Sequence, residues 1–378
     1  MNRAVCIFYL LLMLSAGASN CYSQGNDADL RKLDSLAFAS LENNDSETTK
    51  RANNLLEESE KQKALLYKIN ALTILGIVNK EKGYYVTALN HYLEALNTAE
   101  KIDDNPRVSA CYNNIGQIYQ LQENYVKANE YYHTSLEIGG NLLSPLQKSI
   151  RLYNIGEVFN EMDSLELALT YFNNSLLIEK KAQNKEGIIY ALLGVSEVYL
   201  KIKRFTDAEI TLVEIKSLLN EYFLEETIIY NITSGQLSYS KEDKPKAIEK
   251  YKVAEKLSVK NEFRIYLPKI YGLIIEVLES EGKWEECAKY YSLKSDLAKK
   301  INDTKVKNQL EDLTFQNELN KKTLEIEFIQ EERDIANNNA RLHEEISAYS
   351  TKITGFLILS ILLMIAAIIF GLNYLNKK

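Results

Sequence analysis

Three columns of residues recur along the chain at a step of forty, and this repetition constrains the fold more than any other feature. The first column holds mostly small residues, separated by 40, 40, 40, 39 and 40 positions: Gly76, Gly116, Gly156, Ser196, Gly235 and Ile275. Two further columns follow the same steps: Ala88, Ala128, Ala168, Ala208, Ala247 and Cys287, and Tyr92, Tyr132, Phe172, Leu212, Tyr251 and Tyr291. The repetition predicts a stacked array, because a single unit of this kind cannot bury its apolar surface alone.

Each copy contains two segments with helical periodicity. In the copy that begins near Tyr112, the large residues Tyr112, Ile115 and Tyr119 recur at spacings of three and four, which indicates a helix with one buried face. The alanine and aromatic columns lie on a second helix. The prolines fall where helices are expected to begin, a place that tolerates a missing N–H: Pro106, Pro145, Pro245 and Pro268.

This pattern resembles the tetratricopeptide repeat family, which carries a small residue in its first helix and an alanine, aromatic and small-residue run in its second. The resemblance covers residues 69–300 as six repeats, and residues 24–68 fit a degenerate helical pair that caps the array. The period is longer than the ~34 residues usual for the family. The resemblance implies an all-α solenoid of helical hairpins with a concave face.

Both ends of the chain predict a relation to a membrane. Residues 1–23 combine Arg3, an apolar run and small residues, which is typical of a secretory signal peptide; an uncleaved anchor is the alternative. Residues 353–375 are apolar for about the length of one bilayer crossing, and residues 376–378 form a basic tail that favours the cytoplasmic side. We therefore expect a single-pass protein of the bacterial inner membrane with its repeats in the periplasm.

A change of composition precedes the apolar segment. Residues 301–352 are rich in charged and amide side chains, and no glycine or proline occurs between positions 306 and 350. This composition predicts one long helix. Apolar residues recur there every seven positions, as in a coiled-coil seam: Phe328, Ile335, Leu342 and Tyr349. The pattern favours a homodimer through this helix.

Composition excludes several classes of function. The net charge of −7 argues against nucleic-acid binding, which requires a basic surface. The chain lacks phosphate-binding glycine motifs, paired Cys-x-x-Cys motifs and His-Glu-x-x-His, and it holds only three histidines, so we expect no catalytic residues, no cofactor and no metal. Cys111 and Cys287 lie four repeats apart and are predicted to be core thiols rather than a disulfide.

A candidate binding site follows from the resemblance, which places first-helix residues on the concave face. Asn114 and Asn154 occupy one column in adjacent repeats, and amide side chains that donate and accept hydrogen bonds can hold an extended peptide. Polar neighbours extend the candidate site to Asn113, Gln117, Glu157 and Asn160. We expect these positions to face solvent when no ligand is bound. The alternative is a polar surface that contacts only water.

The order of segments also resembles bacterial membrane-anchored tetratricopeptide regulators, but only residues 373–378 follow the apolar run, where those regulators continue into an output domain. The sequence therefore favours a membrane-anchored scaffold or adaptor that binds a protein or peptide in its groove without catalysis. The alternative is the sensor half of a split or truncated signalling system that acts through a separate membrane kinase or transcription regulator.

Overall fold

The structure is a computed structural model that describes residues 27–42, 47–261 and 263–299, and residues 333, 335, 338–341, 343, 346–347, 349–350 and 352–365 in the C-terminal part of the chain. The chain divides into two units, Met1–Leu313 and Thr314–Lys378. The first contains the repeats. In the second, residues 352–365 form a continuous helix.

The described part of the first unit is built from helices and contains no strand. The helices are α1 (Asp27–Glu42), α2 (Thr48–Lys61), α3 (Leu65–Glu81), α4 (Tyr85–Glu100), α5 (Asn105–Leu121), α6 (Tyr125–Gly139), α7 (Pro145–Glu161), α8 (Leu165–Ala182), α9 (Lys185–Lys201), α10 (Phe205–Leu218), α11 (Leu224–Ser240), α12 (Lys244–Lys260), α13 (Leu267–Ser280) and a last helix, α14, over residues 284–299. Short 3₁₀ turns precede α7 and α13, at Gly140–Leu142 and Arg264–Tyr266. Each helix packs mainly on its neighbours in the chain, so the unit is an all-helical solenoid of hairpins.

The small-residue column meets the aromatic column inside each hairpin. A Cβ atom built on Gly116 would lie 2.7 Å from the Tyr132 ring, and one built on Gly156 would lie 2.7 Å from the Phe172 ring. Both rings are fully buried. A larger side chain on the first helix would therefore displace a buried ring of the second, which is the physical reason for the repeated pairing.

In each hairpin of the array, the turn between the two helices contains one residue with a left-handed backbone conformation, at the equivalent position of every copy. Positive φ values of 56–81° at these turns recur with the steps of the sequence columns: Gly83, Glu123, Asp163, Lys203, Glu242 and Gly282. Only two of these residues are glycines, although glycine adopts this conformation at the lowest cost. The backbone thus repeats more regularly than the sequence, and it confirms the register of the columns.

The prolines lie where the sequence predicts. Pro145 is the first residue of α7, and Pro106, Pro245 and Pro268 are the second residues of their helices. Ser144 and Gln147 form a reciprocal cap at the start of α7, with each side chain bonded to the backbone N–H of the other. Cys111 and Cys287 are buried free thiols, as expected.

A buried arginine joins two hairpins. Arg151 on α7 is 2% exposed and donates to Ser135 Oγ at 2.7 Å, to the Gln147 carbonyl at 2.8 Å and to Ser109 Oγ at 3.1 Å. Ser109 and Ser135 also donate to each other's backbone carbonyls. Burial lowers the pKa of the guanidinium to about 10. Arg151 is therefore a buried cation that donates to neutral oxygens.

Several predicted segments lie outside the described residues. These are the signal peptide at 1–23, most of the long helix at 301–352, and residues 366–378, which include the end of the apolar segment. Among the residues that the structure does describe, no helix meets the length and hydropathy needed to cross a bilayer.

Candidate ligand-binding groove

The first helices of consecutive hairpins form the inner layer of the solenoid. Contacts link α3 to α5, α7 to α9, α9 to α11 and α11 to α13, whereas each second helix meets chiefly the first helices on either side of it. Helices that approach their equivalents in the next repeat lie on the side toward which a solenoid curves. The inner faces of α5, α7, α9 and α11 therefore line the groove.

All six residues of the predicted site lie on α5 and α7. Asn113, Asn114 and Gln117 are on α5, and Asn154, Glu157 and Asn160 are on α7. The structure brings the two sets together across the repeat boundary, because Asn154 Nδ2 donates to Asn113 Oδ1 at 3.0 Å. Whether they bind a ligand stays a prediction.

The expectation that these positions face solvent is wrong for most of them. Asn154 is 0% exposed, Asn113 and Asn114 are each 7% exposed, and Gln117 and Asn160 are also buried. Only Glu157 is half-buried. The amides are inaccessible because hydrogen bonds and packing between successive first helices cover them, and the pairing is Asn154 with Asn113 rather than with its column partner Asn114.

The buried amides of α5 and α7 form a polar seam between successive first helices, namely Asn113, Asn114, Gln117, Asn154 and Asn160. Lysines from the neighbouring repeats also bond to this seam. Lys80 on α3 donates to Gln117 Oε1 at 2.7 Å, and Lys201 on α9 donates to the backbone carbonyl of Asn160 at 2.9 Å. Even so, some buried amide atoms have no hydrogen-bond partner among the described residues, namely Asn114 Nδ2, Asn154 Oδ1 and Asn160 Oδ1. A buried polar atom without a partner costs free energy, and these atoms lie in the covered contact between first helices rather than on an open surface.

Next to the seam, tyrosines and carboxylates of three repeats form one group, which we call the tyrosine–carboxylate cluster. Its members are Tyr153, Glu157, Glu186, Tyr190, Glu225, Glu226 and Tyr266. The rings of Tyr153 and Tyr190 meet edge to face with centroids 6.3 Å apart. The hydroxyl of Tyr266 donates to the carboxylate of Glu225. The cluster spans α7, α9 and α11 and the 3₁₀ turn before α13.

The environment of the cluster disfavours its negative charges. Burial raises the pKa of Glu157 to about 7, and the nearby carboxylate of Glu197 raises it further. Burial likewise raises the pKa of Glu186 to about 7, with a contribution from Glu226. Burial also raises the pKa of Glu225, against the lowering effect of the Tyr266 hydrogen bond. Burial is the largest cause of the raised pKa for each of these three carboxylates.

Sequence reasoning missed most of this cluster. The acidic pair Glu225 and Glu226 stands in the first turn of α11, a place where carboxylates often serve only the helix dipole. The signal that could have found the cluster is the coincidence of first-helix acidic and tyrosine residues in three successive copies.

The described residues contain no group of histidine, cysteine, aspartate and glutamate side chains able to hold a metal ion. His133 is engaged instead by Asn129 and Tyr171, with its Nε2 atom 3.1 Å from the tyrosine hydroxyl. What the groove offers is hydrogen bonding, aromatic faces and negative charge.

Comparison with known proteins agrees with this architecture. Residues 67–139 match the family described as tetratricopeptide repeat. A segment of 108 residues is 32% identical to the photosystem I assembly protein Ycf3 of Acaryochloris marina; it covers 28% of this chain and 63% of that relative, so the chain spans less than two thirds of the relative's length.

Solved structures resemble the fold at low sequence identity. The apo form of RapI aligns with a TM-score of 0.61 at 14% identity, over 73% of this chain and 99% of RapI. A Rap protein complexed with competence and sporulation factor aligns with a TM-score of 0.56, also at 14% identity, over 79% of this chain and 92% of the Rap chain. Residues 67–139 are thus similar to the tetratricopeptide repeat family, and the glycine–aromatic contacts and the turn geometry of that segment recur in the hairpins that follow it.

Proposed function

We propose that this chain is an exported, membrane-anchored scaffold that binds a protein or peptide partner in its groove and catalyses no reaction. The observation that carries the proposal is the inner face of α5, α7, α9 and α11, where the half-buried Glu157 adjoins tyrosines and carboxylates of the neighbouring repeats. A surface of this kind, built on rigid helices, is suited to hold an extended ligand.

The comparisons support a peptide as the class of ligand. The Rap protein that aligns with this chain was solved with competence and sporulation factor, and a second structural neighbour, NprR, was solved with its cognate peptide NprX. NprR aligns with a TM-score of 0.53 at 14% identity, over 75% of this chain. Transfer of peptide binding to this chain is part of the proposal.

The location is proposed from the sequence. The features of residues 1–23 favour export, and the apolar residues 353–375 favour a single anchor in the inner membrane. The helix predicted for residues 301–352 would provide a surface for dimerisation.

Site-specific photo-crosslinking in living cells tests the binding function. p-Benzoylphenylalanine is placed at Glu157, which is half-buried in the groove, or at Val213, which is exposed on the second helix α10. We expect protein adducts from the groove position only. Adducts from Val213 alone would show that partners bind the outer surface, and would contradict the proposed site. Mass spectrometry of the adducts separates a scaffold partner from the kinase or regulator of a split signalling system.

A further inference from the structure

We propose that the last hairpin of the array pairs with the last hairpin of a second copy of this chain, through an antiparallel contact between the two α14 helices. This surface lies outside the groove, so the pairing is additional to the binding function proposed above. It belongs to the repeats themselves and does not involve residues 301–352, for which the sequence predicts a separate dimer contact.

One side of α14 is exposed although the same side is covered in every earlier second helix. The aromatic column lies on this side, and its five earlier members are at most 4% exposed: Tyr92, Tyr132, Phe172, Leu212 and Tyr251. The first helix of the next repeat covers them, as Ile155 and Val158 of α7 do for Tyr132. No described helix of the first unit follows α14, and Tyr291 is 51% exposed.

The exposed side of α14 carries two large aromatic side chains. Trp284, seven residues before Tyr291, is 66% exposed, whereas its equivalents in the five earlier second helices are all half-buried. Ala288, Ser295 and Ala298 continue the same side at helical spacings of three and four. We call these five residues the α14 stripe. Adjoining apolar side chains that are exposed in this way mark a contact surface.

The α14 stripe matches itself when two copies run antiparallel about Tyr291. Trp284 and Ala298 lie seven residues before and after Tyr291, so a twofold axis at Tyr291 places the large Trp284 ring of one copy against the small Ala298 of the other. Ala288 and Ser295 then face each other as well. A twofold contact uses the same surface on both copies and requires such a match. A parallel pair would instead set one Trp284 ring against the other.

The charges beside the stripe favour the same direction. Glu285 in the first turn of α14 and Lys299 at its end are both exposed, and helical geometry places them on the same flank of the stripe. Antiparallel pairing brings each Glu285 to Lys299 of the second copy, which gives two ion pairs. Within one helix the two residues are ~21 Å apart, too far to bind each other. Antiparallel helices also oppose their dipoles favourably.

The size of the contact determines how it should be detected. Each α14 offers a face of ~24 Å by ~10 Å, which is smaller than the ~800 Å² per partner of a standard interface. We therefore expect a weak dimer, for which covalent capture is more sensitive than a measurement at equilibrium.

The experiment captures the pair as a disulfide in bacterial cells that produce the full-length chain. Cysteine replaces Tyr291, at the expected axis, or Leu293, which is also exposed on α14 but points to the opposite side of the helix. Copper–phenanthroline oxidises the cells, and non-reducing electrophoresis separates dimer from monomer. We expect a dimer band from Tyr291→Cys, and no more dimer from Leu293→Cys than from the unsubstituted chain.

Further variants test the direction of the pair. Trp284→Cys and Ala298→Cys should each give no dimer alone and should give one when the two chains are produced together, because antiparallel pairing joins these positions only between different variants. With Tyr291→Cys present, Glu285→Lys should reduce the dimer band. Addition of Lys299→Glu should restore it, since the ion pairs form again with reversed charges. All these positions are exposed, so the substitutions leave the core intact.

The outcomes that overturn the inference are distinct. Dimers from Trp284→Cys alone and Ala298→Cys alone would show parallel pairing, and failure of Lys299→Glu to restore the band would contradict the antiparallel ion pair. Absence of a dimer from Tyr291→Cys would show that no second copy covers the stripe. A maleimide reagent would then distinguish an open surface, where Tyr291→Cys is modified, from a surface protected by residues 301–313 or another protein. None of these results affects peptide binding in the groove.

Discussion

At the scale of single residues, the contact between a first-helix glycine and a second-helix ring determines how closely the two helices approach. Tyr92, Tyr132, Phe172 and Tyr251 each lie under 3 Å from the place of a Cβ atom on the glycine sixteen positions earlier. The ring is buried in every case. Because the interior is closely packed, the ring cannot move aside without cost.

We expect Gly116→Ala to lower the free energy of unfolding by ~1–3 kcal/mol, the usual cost of overpacking a core. The matched control is Gly272→Ala in the interior of α13, where the nearest atom to a new Cβ is Lys294 Nζ at 3.3 Å, the end of a flexible side chain. That change should raise stability by ~0.5–1 kcal/mol, because alanine favours a helix more than glycine does. The measurement is urea unfolding of both variants followed by circular dichroism. Stabilisation by Gly116→Ala would contradict the close contact.

Residue columns could be predicted from the sequence because they repeat, and burial of Ala128 and Tyr132 follows directly from them. The accessibility of Asn114 and Asn154 could not be predicted in this way. Their accessibility depends on the distance between successive first helices. A column of amides occurs both where water separates two such helices and where the helices pack directly against each other. Burial of the aromatic column does not extend to its last member, since Tyr291 is exposed.

At the scale of helices, the junction between α5, α6 and α7 contains a polar cluster inside the core. Ser109 and Ser135 bond to each other, and Arg151 adds its donors to them. One repeat later, Ser149 and Ser175 approach at 2.8 Å in the same way, but the position equivalent to Arg151 is the buried Ala191. The serine pair is therefore satisfied without a guanidinium, and Arg151 is an addition at one junction.

Arg151→Met should destabilise the protein less than Arg151→Lys. Methionine fills similar space and removes a buried charge whose burial is costly. Lysine keeps the charge but cannot direct donors toward Ser109, Ser135 and the Gln147 carbonyl together, so we expect a loss of ~1–3 kcal/mol. Thermal unfolding of the two variants decides the order. A larger loss with methionine would show that the three hydrogen bonds outweigh the cost of burying the charge.

The existence and pairing of helices could be predicted, but Arg151 and the turns could not. Arg151 shares its column with Cys111 and Ala191, so nothing in the repeat indicates a buried cation there. Glu123, Asp163 and Lys203 adopt a backbone conformation that side chains usually avoid. Their conformation is imposed by the packing of the two helices they join, and residue preference gives no hint of it.

At the scale of the whole molecule, the prediction concerns topology. Alkaline phosphatase, which is active only after export, is fused at about residue 340 and, in a second strain, after Lys378. The proposed orientation requires activity from the first fusion and none from the second. Matched expression of both fusions, measured by immunoblot, is the control. Activity of the second fusion alone would reverse the orientation and contradict an exported groove.

The array as a whole could be predicted because stacking of equal units leaves one simple architecture. The tyrosine–carboxylate cluster could not, since its members come from α7, α9, α11 and the turn before α13, and their proximity depends on the rotation between repeats. That rotation arises from many small packing contacts rather than from any single column.

The left-handed turns are spaced by 40 residues, or by 39 between Lys203 and Glu242, so each repeat adds nearly the same length to the array. Glu123 and Asp163 hold equivalent turns, so excision of residues 124–163 would join Glu123 to Ser164 in the geometry that Asp163 has now. Each repeat adds one first helix to the groove, and a helix is ~10 Å wide, the span of about three residues of extended peptide. Duplication or loss of forty codons would thus lengthen or shorten the groove by the width of one helix while the turns at the new junction kept their backbone geometry.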